Sequence, residues 1–326
     1  MADLERLRSG KFLVIGRAGM DLYADPPGTR LEEATRFSAA LGGSSANIAA
    51  GLCRQGCQAA LVTRVSDDAV GRFCLAQLDS YGIDRRYVRV EGGEARNSLA
   101  IVETRATDTQ SVLYRHCAAD FAMVPDDLHH LPYSEFSALV TTGTVLAAQP
   151  SRDACFAAFE HARAAGLPLV FDVDYRPYSW ASPGEAAEVY ARAAALCDIV
   201  IGNDVEFGVM AGDHDAGLKA ARALVADGAR VVVYKMGEHG AVTITPDGET
   251  RTGIYRSRAI KPTGAGDGFL AGFLSGLTDG GDVGKAVARG SATAALVVSR
   301  VGCAPAMPTS AEVDRFLTTS EMTHPA

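Results

Sequence analysis

The chain has 326 residues, 48% of them hydrophobic and 21% charged, a composition that fits one large globular domain. The formal net charge of −8 argues against nucleic acid and anionic membranes as main partners, because both would repel the chain. The seven cysteines form no C-x-x-C pair, the first residues lack an apolar signal core, and no apolar run could span a bilayer, so we expect a cytoplasmic protein.

Short runs of apolar, β-branched residues recur along the chain, each closed by Gly, Asp or Asn. They predict strands at Lys11–Gly16, Ala59–Val65, Ala138–Gly143, Leu167–Asp174, Asp198–Asn203 and Arg230–Gly237. Alanine-rich segments with helical spacing predict helices at Asp153–Ala165, Glu185–Cys197 and Ala216–Asp227. The alternation predicts one α/β domain over residues 1–326, with a mostly parallel sheet that binds ligands beyond the carboxyl ends of its strands.

Two segments, residues 17–37 and 87–123, interrupt this alternation. Within the second, SLAIVETRA and QSVLYRHCA are separated by TDT and predict a β-hairpin. We expect the two segments to form a small β-sheet that acts as a lid over the strand ends, the alternative being a surface hairpin without function. The edges of such a sheet offer a surface for a second subunit, so a homodimer through the lid is a further hypothesis.

The segment KPTGAGDGFLAGFL, which begins at Lys261, places glycines at the entrance of a predicted helix. Unpaired backbone N–H groups at such an entrance, approachable because glycine has no Cβ, suit a phosphate group. Asp267 in the same turn would repel that phosphate, but it could accept the proton of a hydroxyl that attacks it. Helix capping explains Asp267 equally well from these residues alone.

Four segments resemble, in the same order, motifs of the ribokinase-like (PfkB) sugar kinases, and they span the chain from Val14 to Pro308. LGGSSANIAAGLCRQG resembles a sugar-binding motif, GNDVEF an N-x-x-E motif, VYKMGEHGA a nucleotide-side turn, and KPTGAGDGFLAGFL the C-terminal signature. The resemblance implies a ribokinase-like three-layer α/β/α sandwich with a small β-sheet lid. It also implies phosphorylation of a sugar hydroxyl with ATP and Mg²⁺.

The same resemblance implies roles for individual residues. Asp267 would be the general base, with an anion hole formed by the backbone of Gly264, Ala265 and Gly266. ATP and Mg²⁺ would be bound by Asn203, Glu206, Lys235, Gly237 and Gly240, the first two acting on the metal through water. The sugar would contact Asp21, Gly42, Gly43 and Asn47. The plainer alternatives are that Lys235 is a solvated lysine at a strand end and Glu206 an ordinary acid in a first helical turn.

The substrate-side segments favour a sugar acid. FDVDYRPYSW and LYRHCAADF resemble kinases of keto-deoxy sugar acids and supply Arg176 and Arg115, whose guanidinium groups would match a carboxylate. Arg17 and Arg96 are further candidates. IGRAGMDLYADPPGT and KPTGAGD resemble segments of kinases of 5-dehydro-2-deoxygluconate, which implies phosphorylation of its 6-hydroxyl in inositol catabolism. The alternative substrates are 2-keto-3-deoxygluconate and fructose, since FDVDYRPYSW also resembles some fructokinases.

Three alternatives concern cofactors and reaction class. Most family members carry Asp where this chain has Lys261, and some relatives order the anion-hole loop with a monovalent cation, so K⁺ is an optional cofactor. A catalytically inactive nucleotide- or sugar-binding regulator is the non-enzyme alternative, which the joint presence of Asp267, Asn203 and Glu206 disfavours. A dehydrogenase is disfavoured because GRAGMD lacks the G-x-G-x-x-G spacing after the first strand.

Overall fold

The computed structural model describes residues 4–280 and 282–323. The strands are β1 (Lys11–Ile15), β2 (Gly19–Ala24), β3 (Phe37–Gly42), β4 (Gln58–Ser66), β5 (Val88–Glu91), β6 (Leu99–Val102), β7 (Ser111–Tyr114), β8 (Ala138–Thr142), β9 (Leu169–Asp172), β10 (Ile199–Asn203), β11 (Val231–Lys235), β12 (Ala241–Thr245) and β13 (Gly248–Thr252). The helices are α1 (Ser44–Arg54), α2 (Ala69–Ser80), α3 (Asp126–His129), α4 (Ser151–Ala164), α5 (Pro183–Ala195), α6 (Asp204–Ala211), α7 (Gly217–Ala226), α8 (Ala265–Thr278), α9 (Val283–Val298) and α10 (Ser310–Thr319).

Nine strands form the main sheet, in the order β13-β12-β11-β10-β9-β8-β1-β4-β5. The strands from β11 to β5 in that order are parallel, and β12 and β13 continue the sheet antiparallel. The six predicted strands and three predicted helices are therefore confirmed, with bounds that differ by a few residues. Thr309 and Glu312 form a capping box at the start of α10.

Helices cover both faces of this sheet, as the side chains of β1 illustrate. Leu13 and Ile15 pack into one hydrophobic core with α4 and α5, while Phe12 and Val14 pack into a second core with α1 and α8. All four side chains are fully buried. A strand that is apolar on both faces is typical of a parallel sheet between two helical layers, which confirms the predicted α/β/α sandwich.

A separate four-stranded sheet has the order β3-β2-β6-β7. Its strands β6 and β7 pair antiparallel, which confirms the predicted hairpin. Its extent differs from the prediction in two places. It includes β3, which pairs antiparallel with β2 and continues beyond residue 37. It excludes β5, which pairs along the free edge of β4 in the main sheet, with Thr63 opposite Val88.

Helices α1 and α8 approach closely because α1 carries a glycine at their contact. A Cβ atom on Gly51 would lie only 2.6 Å from the Cβ of Ala271 and 3.0 Å from the sulfur of Met307. One helical turn before these positions, each helix carries Asn47 or Asp267, whose side chains are hydrogen-bonded to each other. The small residue at 51 therefore allows a polar pair to form one turn away. Among the described helices, none is both long and apolar enough to cross a membrane.

The substitution Gly51→Val should push α1 and α8 apart, because β-branched atoms cannot fit a gap that already excludes a methyl group. We expect the free energy of unfolding to fall by about 1–3 kcal/mol, the usual cost of overpacking. We also expect Asn47 and Asp267 to move apart and to lose their hydrogen bond. Urea unfolding measures the first effect. Gly92→Val is the matched control, since Gly92 is exposed with nothing within 4 Å of an added Cβ. Equal unfolding midpoints for the two variants would contradict the packing argument.

Candidate active site

The loop before α8 has the features of an anion-binding turn. Gly264 is the N-cap residue and has a φ of 82°, a left-handed conformation that glycine adopts without strain. Within the described chain, no side chain caps α8, so backbone N–H groups of its first turn remain available to a ligand. Gly264, Ala265 and Gly266 are half-exposed, which leaves the loop open to an approaching phosphate.

The Asp267 side chain does not cap α8, so capping does not account for this residue. Asn47 Nδ2 donates a hydrogen bond to Asp267 Oδ2 at 2.8 Å, and the Asp267 residue is only 8% exposed. Burial and the nearby Asp174 raise the pKa of Asp267 to about 7, against the opposing hydrogen bond from Asn47. A carboxyl group with this pKa can take up and release a proton near neutral pH, as a general base requires.

Asn203 and Glu206 form a reciprocal capping box at the start of α6. Asn203 Oδ1 accepts from the Glu206 backbone N–H at 2.9 Å, and Glu206 Oε2 accepts from the Asn203 backbone N–H at 2.7 Å. Burial raises the pKa of the Glu206 carboxyl, and the neighbouring Lys235 opposes that shift. The capping box uses one oxygen of each side chain, and Glu206 Oε1 accepts no hydrogen bond from the described residues.

Lys235 lies between this capping box and the anion loop. It is opposite Asn203 in the pairing of β10 with β11. Its Nζ lies 5.5 Å from the ring centroid of Phe269, and a methyl group on Gly266 would lie 3.6 Å from the same Nζ. The residue is half-buried, so it is not a freely solvated lysine at a strand end. The predicted nucleotide-side glycines, Gly237 and Gly240, lie in the turn that follows β11.

On the opposite side of the site, Asp21 and Asn47 present oxygen atoms without partners. Asp21 Oδ2 accepts from the Tyr23 hydroxyl at 3.0 Å, while Oδ1 of Asp21 and Oδ1 of Asn47 are buried and unpaired among the described residues. Gly42 lies against this carboxylate, since a Cβ there would be 1.9 Å from Asp21 Oδ1. Gly43 is the N-cap of α1, the helix that carries Asn47. Acceptors without partners suit the donors of sugar hydroxyl groups.

Two of the four candidate arginines, Arg115 and Arg176, form close ion pairs. Arg115 pairs with the buried Asp120, donates to the Thr144 carbonyl at 3.0 Å, and stacks on the ring of Phe121 at 3.8 Å. The Arg176 side chain is 46% exposed and pairs with Asp174 at 2.7 Å.

The other two candidate arginines are less firmly held. Arg17 Nη1 donates to Ser98 Oγ at 2.9 Å. The Arg96 side chain is 62% exposed, and its guanidinium donates to the carbonyls of Gly93 and Ala95. Nothing in the geometry of Arg96 supports its predicted place in the site.

Asp174 is a site residue that the sequence analysis did not single out. Its buried carboxylate accepts a short hydrogen bond from Ser44 Oγ, pairs with Arg176, and raises the pKa of Asp267. Its φ of 39° is rare for a residue other than glycine, and it places the side chain just beyond the end of β9. The sequence feature that could have identified Asp174 is an acidic residue just after a buried strand, on the edge where ligands of such sheets bind.

Comparisons with known proteins agree with this geometry. Residues 9–310 match the pfkB family of carbohydrate kinases. The chain is 38% identical over 312 residues to the 5-dehydro-2-deoxygluconokinase of Geobacillus thermodenitrificans, an alignment that covers 94% of this chain and 92% of that protein.

Two solved structures illustrate the shared fold. One is a PfkB protein from Polaromonas, with a TM-score of 0.82, 29% identity, and coverage of 93% of this chain and 99% of that one. The other is a Vibrio cholerae fructokinase variant with fructose, ADP and a potassium ion bound, with a TM-score of 0.82, 25% identity, and coverage of 95% and 98%. The chain therefore belongs to the pfkB family of carbohydrate kinases, and the expected ribokinase-like fold is confirmed.

The hydrogen bond that Asn47 donates should lower the pKa of Asp267, and this effect can be tested. The substitution Asn47→Leu removes the donor that stabilises the ionised carboxylate, so the pKa of Asp267 should rise from about 7 by about one further unit. Carbon-13 NMR of protein labelled at its aspartate carboxyl groups measures this, with Asp267→Asn used to assign the signal. Other aspartate signals serve as the internal control. An unchanged or lower pKa for Asp267 would refute the role given to Asn47.

Proposed function

We propose that this carbohydrate kinase transfers the γ-phosphoryl group of ATP to the 6-hydroxyl of 5-dehydro-2-deoxygluconate. The observation that carries the proposal is the position of Asp267. Its buried carboxyl, with a pKa of about 7, lies in the first turn of a helix whose entrance is free to bind an anion. That arrangement suits a hydroxyl that loses its proton as it attacks a phosphoryl group.

Each part of the site has a task in this reaction. Asp267 accepts the proton of the attacking hydroxyl, and Asn47 holds the carboxylate in place for it. Backbone N–H groups in the first turn of α8 stabilise the charge that spreads over the transferring phosphoryl oxygens. The Lys235 ammonium, next to Gly266, adds a positive charge on the nucleotide side.

The residues fit a magnesium ion that is bound mainly by ATP and water. Within residues 4–280 and 282–323, no group of three or more His, Cys, Asp or Glu side chains could hold a metal by itself. Mg²⁺ commonly keeps several waters and takes one or two carboxylates together with substrate phosphates. Glu206 and Asn203 are the residues that would hold these waters, and the ion would neutralise phosphate charge.

Two observations support a sugar acid as the acceptor. The Geobacillus relative bears the name of a kinase of 5-dehydro-2-deoxygluconate and aligns along nearly the whole chain. The site also carries three arginines, Arg17, Arg115 and Arg176, whose charges act on acidic residues around Asp267. A chain of net charge −8 needs such local positive charge to attract a carboxylate.

ADP release from ATP, measured with each sugar in turn, tests the proposal. We expect the highest kcat/KM with 5-dehydro-2-deoxygluconate, lower values with 2-keto-3-deoxygluconate, and the lowest with fructose. Asp267→Asn should lower kcat by about 10²–10⁴-fold, because the variant cannot accept the proton. Nucleotide affinity should survive, since the anion loop is unchanged.

Asp279→Asn is the matched control, because Asp279 is the exposed residue at the other end of α8 and should tolerate the same change. A preference for fructose over both acids would refute the sugar-acid assignment. Near-normal turnover in Asp267→Asn would refute the role of the base.

The residues do not fit a monovalent cation beside the anion loop. The Lys261 side chain is fully buried, and its Nζ donates to the carbonyl of Thr263, just before Gly264. Its backbone N–H is also fixed, to the carbonyl of Val298. Burial lowers the pKa of Lys261, while Cys303, Asp267 and Asp21 favour its charged form. An ammonium that already binds a loop carbonyl would repel a second cation from the same place.

Wild-type turnover should therefore be the same in potassium, sodium or choline chloride, within about twofold at matched ionic strength. Lys261→Met should lower kcat, because the Thr263 carbonyl loses its partner and the loop loses a positive charge. Arg222→Met, a surface residue paired with Glu249, is the control for loss of one cation. Strong activation of the wild type by potassium would contradict this account of the loop.

The four-stranded sheet is proposed to act as the lid and as a dimer surface. The lid role is supported by two candidate sugar-binding residues of this sheet, Asp21 on β2 and Gly42 on β3, which lie against each other. Its edge strands β3 and β7 carry the exposed apolar side chains Phe37, Val112 and Tyr114. Apolar groups on the edges of a small sheet favour pairing with a second copy of the chain.

A further inference from the structure

The arginines around the site differ in how their charge is balanced. Each of Arg96, Arg115 and Arg176 has a carboxylate oxygen within 4.0 Å of its guanidinium group. Arg17 has none among residues 4–280 and 282–323. Its guanidinium is half-buried and makes one side-chain hydrogen bond, to the neutral hydroxyl of Ser98. Half-buried charges are normally paired, so Arg17 is unusual in having no carboxylate in direct contact within the described chain.

Arg17 is hydrogen-bonded to both sheet regions, through its backbone and through its guanidinium group. Its carbonyl accepts a hydrogen bond at 3.2 Å from the backbone N–H of Ala46, in the first turn of α1. Its Nη1 is bound to Ser98, directly before β6 of the small sheet. The side chain therefore lies beyond the carboxyl end of β1, on the edge where this kind of sheet binds ligands.

Arg17 and Arg115 share a second feature, a buried Nε–H group without an acceptor. Both nitrogens are inaccessible to solvent and unpaired in the described structure. Besides burial, which is the larger cause, the charge of Arg17 lowers the pKa of Arg115, so the two guanidinium groups are close enough to repel each other. An unpaired buried donor is unfavourable. An anion bound at the two guanidinium groups would relieve their repulsion.

Toward Asp267, the unpaired groups of the site are hydrogen-bond acceptors and not donors. Oδ1 of Asp21 and Oδ1 of Asn47 are acceptors without partners, and the charge of Arg17 lowers the pKa values of Asp21 and Asp267, although burial raises both. The complementary ligand has an anionic group at the arginines and hydroxyl groups toward the acceptors. We propose that Arg17 and Arg115 together bind the substrate carboxylate, and that Arg17 sets the preference for a sugar acid over a neutral sugar. This inference rests on the proposed function.

Equilibrium binding tests it separately from catalysis. Isothermal titration calorimetry compares D-gluconate with D-glucitol, which has the same carbon chain without the carboxylate. The wild type should prefer gluconate, and Arg17→Gln should weaken gluconate binding by about 10–100-fold while glucitol binding is unchanged. Arg17→Lys should fall between them, because it keeps the charge but loses the planar fork. Arg222→Gln on the surface should behave as wild type.

The outcomes separate the inference from the proposed function. An equal loss of affinity for both ligands in Arg17→Gln would mean a purely structural role and would overturn the inference. Unchanged gluconate binding in that variant, or no preference for gluconate in the wild type, would overturn it as well. If the wild type keeps an Arg17-dependent preference for gluconate but does not phosphorylate 5-dehydro-2-deoxygluconate, the proposed substrate falls and the carboxylate site stands.

Discussion

The site depends on a carboxylate that is buried at the positive end of a helix. Burial alone would hold Asp267 in its protonated form, in which it could not accept a proton. The Asn47 hydrogen bond and the charges of Arg17 and Arg176 act against burial, and the resulting pKa of about 7 leaves the group balanced between its two forms. The open helix entrance next to it would attract a phosphoryl group to the same place. The proposed base and the proposed anion site thus lie in one turn of the chain.

The fold supplies this balance by bringing distant segments together. Asn47 and Asp267 are 220 residues apart in sequence, and they meet because α1 and α8 pack closely at Gly51 and Ala271. Parallel strands deliver Asp174, Asn203 and Lys235 to one edge of the main sheet. The small sheet adds Asp21 on the substrate side. Positively and negatively charged side chains therefore surround Asp267. Each lies on the side of the site where we expect a ligand group of opposite charge.

Much of this architecture could be predicted from sequence, because strand and helix periodicities are local signals. The same applies to the glycines before Asp267, whose positions in a helix entrance follow from chain order. The ion pairs could not be predicted. Strand and helix periodicity does not show that Asp120 and Asp174 form ion pairs with Arg115 and Arg176. Nor does it show that Arg17, the less favoured candidate, contacts no carboxylate among the described residues. Likewise, the sequence alone does not explain why this chain has Lys261 where most family members have Asp. The structure gives a reason, because the Lys261 ammonium donates a hydrogen bond to the Thr263 carbonyl. Such pairings depend on tertiary packing.

The pH dependence of phosphoryl transfer in a single turnover tests the central claim most directly, since enzyme in excess over sugar removes product release from the rate. If Asp267 accepts the hydroxyl proton, the rate should rise about tenfold per pH unit below about pH 7, because only the ionised carboxylate is active, and level off above it. A rate that stays constant from about pH 5.5 to 8.5 would contradict the claim that a carboxyl with a pKa of about 7 serves as the base.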